Sequence, residues 1–475
     1  MRYSCLSFFV ASVLFLASCS TTKKTSVPPP VSQQAAGFHV PDSLPLLPPS
    51  EIDVLVKIYG QPILAKAEAL VPKEFNSDNY PNYSQPSCDF RYKYHFIRSP
   101  LNLTCSNNKI GIHFTGNYQL SGSKCICTLG KPVSLWISGS CGYGNEPLRK
   151  ISINVSSQLL FLPIYKLKTT SKLESLQATD KCIVSLFSND VTALVVDSVR
   201  SSVNAFCTTL DATINGMDFS KTLLQAYMQY KTVALSKYGY LSLNPSAVRL
   251  GQLNYSKDTF SIYVGATCRP QLSSDSASTL MPSAFPLLDP NENKKGASVY
   301  LNISYDYEFL SRLLNDTLRN KAFEVDGRTI VIKSASLKGI DHHQVEIKID
   351  FAGTNKGKLY LRGTPVLDAA NQTLTIPDIS YTLEDEDLAL KIGKTLFRNK
   401  IKKNLNGKSY LDIAALVKTN MPLLDAKLNA QISNGIYSSG KINDVRVLGL
   451  LAQKNMIQMQ LYANANISII AANLP

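Results

Sequence analysis

Histidine and tryptophan are scarce in these 475 residues, with five of the first and one of the second, and 35 acidic residues face 49 lysines and arginines. Each shortage excludes something. His39, His95, His113 and the adjacent His342 and His343 are the whole imidazole supply, which leaves few ways to assemble an acid, a base and a nucleophile. No Gly-x-Ser-x-Gly elbow, phosphate-binding glycine loop or His-Glu-x-x-His helix occurs, and these carry many hydrolases, nucleotide enzymes and zinc proteases. Helix-turn-helix and zinc-finger spacings are missing too, so the basic balance does not point to nucleic acid. Beyond the first 18 residues no apolar run is long enough to span a bilayer. We therefore expect neither an enzyme nor a cofactor.

What is present starts at residue 2. Arg2 gives a positive beginning, Leu6 to Leu16 an apolar run of leader length, and Ala17 and Ser18 are small residues before Cys19, the layout of a cleaved export signal over residues 1–18. The order Leu16-Ala17-Ser18-Cys19 resembles the lipobox of bacterial lipoproteins. That resemblance implies cleavage before Cys19, diacylation of its sulfur and acylation of its amine. Two or more acyl chains hold a protein stably at a bilayer, whereas one does so marginally. By the same resemblance, Ser20 after the cysteine implies the outer membrane, and we expect the protein to face the periplasm. Residues 19–49 are polar, then rich in proline (Pro28, Pro29, Pro30, Pro41, Pro45, Pro48, Pro49), and form an extended tether. The formal charge of +14 favours anionic partners such as phospholipid headgroups, lipopolysaccharide phosphates or acidic glycans, and a lipid or anionic amphipath is the expected ligand.

Apart from Cys5 and Cys19, the cysteines are Cys88, Cys105, Cys125, Cys127, Cys141, Cys182, Cys207 and Cys268. An even number in an exported chain favours disulfides, with the pairing open. Cys125-Ile126-Cys127 lacks the Cys-x-x-Cys spacing of zinc and thioredoxin sites. Asp341-His342-His343 lies between strands and suits a solvated turn. Glu384 to Asp387 lacks the spaced oxygen ligands and glycine of a calcium loop. No metal site is expected.

The body shows one plan twice. Ile52, Val54, Val56 and Ile58 alternate with polar residues as in a strand with one buried face, and a helix follows from Ile63 to Val71, with Pro62 in its first turn. Val299, Leu301 and Ile303 alternate likewise before Phe309, Leu310, Leu313, Leu314 and Leu318 at helical spacing. Tyr59 and Leu64 match Tyr305 and Leu310 at one constant offset. At a second, shorter offset Val248-Arg249, Phe260, Ile262 and Val264 match Val445-Arg446, Ile457, Met459 and Leu461, each set forming a closing hairpin. Strands are expected over Lys109–Leu120, Lys150–Leu162, Tyr165–Leu176, Gln344–Phe351, Lys358–Arg362 and Thr373–Leu383. Val195, Val199, Val203, Phe206 and Leu210 trace one helix face. A second long helix is expected from Glu384, with Leu388, Ile392, Leu396, Ile401 and Leu405 along one side and Lys391, Lys394, Arg398, Lys400, Lys402 and Lys403 among its charges.

Gly353, Gly357, the run Leu359 to Pro365 with its Gly363-Thr364-Pro365, Asp368 and Leu374 to Asp378 resemble the strand-turn-strand core of a bacterial lipoprotein family, domain of unknown function 4403. Gly363 and Pro365 suit a strand end and its turn, and Asp368 with Asn371 a hairpin closure. The family is similar to the tubular lipid-binding superfamily, and the resemblance implies lipid handling. The expected fold is α+β: two tandem modules, residues 50–275 with cysteine-bearing insertions and residues 276–475, each a curved antiparallel sheet wrapped around a long amphipathic helix. An apolar groove left by such a helix would hold or shuttle a lipid. The alternative is an envelope scaffold or glycan-binding lipoprotein whose rolls are filled.

Overall fold

A computed structural model of the chain describes residues 40–184, 189–218, 220, 232–276, 286, 288–289, 295–325, 328–354, 356–385 and 410–471. Strand β1 (Ser50–Tyr59) leads into helix α1 (Gly60–Leu70). Strands β2 (Phe90–Arg98), β3 (Lys109–Lys124), β4 (Arg149–Phe161) and β5 (Leu167–Ala178) then pair antiparallel in that order. Helix α2 (Thr192–Asn215) packs on them, and β6 (Pro245–Leu250) and β7 (Thr259–Cys268) follow. Strand β8 (Gly296–Asp306) leads into α3 (Tyr307–Leu318). A separate antiparallel sheet contains β9 (Arg328–Gly339), β10 (Val345–Gly353), β11 (Gly357–Gly363) and β12 (Ser380–Asp385). Helix α4 (Ile413–Leu428) precedes the long closing strands β13 (Ile436–Ala452) and β14 (Met456–Ala471).

The repeated sequence pattern has a counterpart in the pairing. β1 lies against β7, with β6 on its far side, and β8 lies against β14, with β13 beyond. Val248 sits opposite Ala266, and Val445 opposite Ala463. The two sets join directly. The other edge of β1 pairs antiparallel with β8 at 51–53, then parallel with β14 at 55–58. The result is one mixed sheet of twenty strands drawn from both sides of residue 275.

This overturns the α+β reading of two rolls, each wound around a long helix. Strand dominates the described residues, and helix α2 packs one side against the sheet while α3 runs along the edge of β9. Helix α2 shows why. Its inner stripe, Val195, Val199, Val203 and Cys207, packs on Phe96, Tyr118, Ile151 and Ile153. Its outer face carries Ser198, Ser202, Thr208, Thr209 and Thr213, whose hydroxyls donate to carbonyls one turn back and remain exposed. A helix apolar on one side can cover a sheet but cannot be enclosed by one. Phe206, expected inside, is exposed, and Cys207 takes its place in the stripe. The second long helix falls in 386–409, outside the described residues apart from its first positions, and Glu384 belongs to β12.

The second core crosses the residue 275 boundary. Leu235, Tyr238 and Leu272 pack with Leu301, Ile303, Tyr305, Phe309, Ile413, Val447 and Leu461. In β1 the apolar residues are only half-buried, while Asp53, on the face expected to be wet, is wholly buried. The single strand expected over Thr373–Leu383 is two, Thr373–Thr375 and Ser380–Asp385. Pro377 lies between them and has no N–H to give a ladder.

Candidate functional site

Cys19, the residue given a modification by the sequence, lies outside the described residues, as do His39 and the basic residues from Lys391 to Lys403. Cys88 is bonded to Cys127, and Cys141 to Cys182. Cys127 is thereby taken, and the free Cys125 thiol stands 4.0 Å from its sulfur. The Asp341-His342-His343 run is pulled apart. Asp341 pairs with Lys454 at 3.4 Å, and His343 Nδ1 lies 2.9 Å from the Ala452 carbonyl oxygen. His95 lies 3.3 Å from Glu74, and His113 is 2.7 Å from Asn154 Oδ1. Among the described residues, no three metal-ligating side chains gather.

The Gly363-Thr364-Pro365 segment is held by Asp378. The Thr364 amide donates to Asp378 Oδ1 at 2.6 Å, and its hydroxyl to Oδ2 at 2.7 Å. Gln344 Nε2 adds a third bond at 3.0 Å. Burial works to raise the Asp378 carboxyl, but the bonds from Thr364 and Gln344 outweigh it and hold the group below its ordinary range. A Cβ on Gly363 would meet the Ile376 Cγ2 methyl at 2.3 Å and Asp378 Oδ1 at 3.2 Å, so a larger residue there would have to displace the Ile376 side chain. Asp368 accepts from the Ala370 and Asn371 amides and from Asn371 Nδ2, closing the hairpin. These contacts fix the backbone of the turn and its hairpin.

The surface with binding chemistry lies along α3. The Asp306 side chain caps this helix by accepting from the Phe309 amide at 2.7 Å. One side of α3 serves the sheet. Asn315 accepts from the Ala335 amide and donates to its carbonyl, both at 2.7 Å, and Ser311 Oγ accepts from the Leu337 amide at 2.8 Å. Two helical side chains one turn apart thus stand in for a neighbouring strand along β9.

The adjoining face presents Phe309, Arg312, Leu313, Asp316 and Arg319. With Lys333 and Ser334 of β9, and Lys237 of the turn Ser236–Tyr238, they bound an open cleft of about 600 Å³. Phe309 is buried and stacks on Tyr305 with ring centroids 4.8 Å apart. The Tyr305 hydroxyl donates to the Tyr238 carbonyl at 2.7 Å, which places the turn bearing Lys237. Burial raises the Tyr305 hydroxyl pKa and keeps it a donor. At the rim, Arg312 pairs with Glu308 at 2.8 Å and lies 5.6 Å from the Phe309 ring centre. Arg319 and Lys333 make no ion pair among the described residues. The cleft lining therefore joins Phe309 and Leu313 to Lys237, Arg312, Arg319, Lys333 and Asp316, with Arg312 already paired to Glu308 at the rim.

Helical spacing alone assigns Phe309 and Leu313 to the core and does not mark this rim. Arg312 and, just past the helix end, Arg319 are a legible signal. Lys237 and Lys333 come from distant segments and carried none.

Fold and surface together define a predominantly β protein, with a large mixed sheet, helices packed against its sheets and a cation-rimmed apolar cleft. The chain belongs to the family described as Domain of unknown function (DUF4403), which it matches over residues 48–470. Comparison with curated proteins gives no match. Among solved structures it is similar to P47 from Clostridium botulinum A2, at 10% identity over 86% of this chain and 96% of that one, with a TM-score of 0.22. It is also similar to P47 of Clostridium botulinum E1, at 11% identity over 86% and 98%, with a TM-score of 0.17.

Proposed function

We propose that this is a non-enzymatic binding protein of the bacterial envelope, anchored through acyl chains on Cys19, that takes an anionic amphipath into the α3 cleft. The observation that carries this reading is the apolar floor of Phe309 and Leu313 under a rim of Lys237, Arg312, Arg319 and Lys333. An apolar tail laid on that floor gains about 0.8 kcal/mol for each methylene removed from water. Guanidinium and ammonium groups at the rim favour a phosphate or carboxylate head. Binding is by partition, and the cleft is open, so ligand can enter and leave without unfolding the sheet. In this reading residues 19–49 are a proline-rich leash that keeps the cleft near the periplasmic face of the outer membrane.

Titration of the full chain with a fluorescent long-chain phosphate or carboxylate, beside its uncharged alcohol, tests the proposal. Arg319→Glu with Lys333→Glu should weaken binding of the anion roughly tenfold or more and leave the alcohol nearly unaffected. Equal binding of the anion by parent and variant would contradict it.

A further inference from the structure

From Phe90 to Asn145 there is no aspartate or glutamate, while Arg91, Lys93, Arg98, Lys109, Lys124 and Lys131 all fall in this stretch. Its outermost part is a small hairpin. Cys127 pairs with Pro132 and Thr128 with Lys131, Leu129 and Gly130 turn the chain with positive φ, and the Val133 amide donates to the Ile126 carbonyl at 2.8 Å. So short a ladder does not hold by itself in water. Here the Cys88–Cys127 disulfide fastens it to the turn before β2.

Strand alternation sends Cys127 toward that bond and puts Ile126 and its partner Val133 on the opposite face. Both are more than half exposed, as is Ile137, while Leu129 is 98% and Leu135 88% exposed. An element fastened covalently does not need these side chains for its own folding, and in water they are a liability. Beneath them is a base of cations and rings. The Arg91 guanidinium lies 4.3 Å from the Trp136 ring centre and 4.6 Å from that of Tyr83, and Lys93 Nζ lies 4.8 Å from Tyr83 and 5.4 Å from Tyr143.

We propose that this disulfide-held finger is a contact site for an anionic lipid bilayer, separate from the α3 cleft. Ile126, Leu129, Val133 and Leu135 enter the boundary between headgroups and acyl chains, and Lys124 and Lys131, both exposed, meet lipid phosphates. Trp136 lies at the depth where indole rings settle in membranes. The charge pattern favours a bilayer over a protein groove. Aliphatic tips flanked by lysines, with no carboxylate from Phe90 to Asn145 and with Asp89 at the base near Lys124, match a surface that is apolar within and phosphate-covered outside.

Trp136 is the one tryptophan of the chain, so the emission of the full protein reports on the finger itself. Vesicles of phosphatidylglycerol and phosphatidylcholine with brominated acyl chains should quench it, and phosphatidylcholine alone much less. Leu129→Asp with Leu135→Asp, both at exposed positions, should abolish quenching and lower vesicle affinity roughly tenfold or more. Lys124→Glu with Lys131→Glu should remove the preference for the anionic lipid. Any leader or anchor is common to parent and variants, and unchanged circular dichroism with an intact Cys88–Cys127 bond checks folding. Arg319→Glu with Lys333→Glu should leave the quenching unchanged, so this proposal and the cleft proposal fail separately. Absence of quenching by anionic vesicles would overturn the inference, and so would undiminished quenching in the double aspartate variant. Cross-linking of position 129 to an envelope protein, without vesicle quenching, would overturn it in favour of a protein partner.

Discussion

Arg249 reaches over one strand to grip Asp53, its Nη2 lying 3.1 Å from each carboxylate oxygen, with both residues buried. Gly265 makes this possible. It pairs with Asp53 on one side and with Arg249 on the other, so the row has no side chain between the two charges. Glu51, two residues along β1, adds a contact to Arg249 at 2.8 Å. Thr267 donates to Glu51 at 2.9 Å and accepts from Arg249 Nη1. Arg249→Met leaves the Asp53 carboxylate buried without its guanidinium and should cost about 3–5 kcal/mol. Arg446 occupies the corresponding place in β13, but its partner Asp444 and much of its own side chain meet solvent. Arg446→Met should therefore cost less than about 1 kcal/mol. Denaturant unfolding measures both, and equal losses would contradict the account.

Asn315 supplies Ala335 with both halves of a strand's hydrogen bonding. Asn315→Ala should destabilise the protein by about 1–3 kcal/mol, because the buried Ala335 amide and carbonyl lose their partner. Thr317→Ala removes only a hydroxyl bonded within its own helix and should change little. Hydrogen exchange read at the Ala335 amide should accelerate in the first variant and stay slow in the second.

Asp378 ties stability to pH. Its folded carboxyl titrates below the ordinary value of 3.8, so its contribution is fully present above that value and is lost as pH falls through the lower folded one. The stability difference between parent and Asp378→Asn should be constant from neutral pH to about 5 and shrink in stronger acid. Denaturant midpoints across that range check this, and a difference that grew on acidification would have the wrong sign.

The free thiols differ in their surroundings. Burial pushes Cys268 up to about 12 and also raises Cys105 and Cys207, whereas Cys125 is half-exposed. The thiolate is the reacting form. Alkylation of the native protein at pH 8, followed by peptide mapping, should mark Cys125 first and the other three only after unfolding. Early labelling of Cys268 would show that the β1–β7 junction is open.

Much of the fold was legible because strand and helix periods survive in the sequence. The closing hairpins were matched residue for residue, and the alternation of Val299, Leu301 and Ile303 marks β8. What the period could not say is where a one-sided helix goes. Val195, Val199 and Val203 fit a helix inside a roll as well as one laid on a sheet, and the hydroxyl-rich outer face of α2 was the clue to the second. Helix α4 is hard to read from the sequence because Pro422 lies inside it. The buried Asp53 broke the expected alternation because its partner lies 196 residues away. The cleft was illegible for a similar reason, since Lys237, Arg312 and Lys333 meet only in the folded chain.

The central claim is that the α3 cleft holds an anionic amphipath. Native mass spectrometry of the full chain, extracted from its envelope in mild detergent, with lipid analysis of the same sample, tests it most directly. The account predicts a co-purifying anionic amphipath on the parent that is lost from Arg319→Glu with Lys333→Glu. A parent chain with no noncovalent ligand beyond its own covalent mass, or equal ligand on parent and variant, would contradict it.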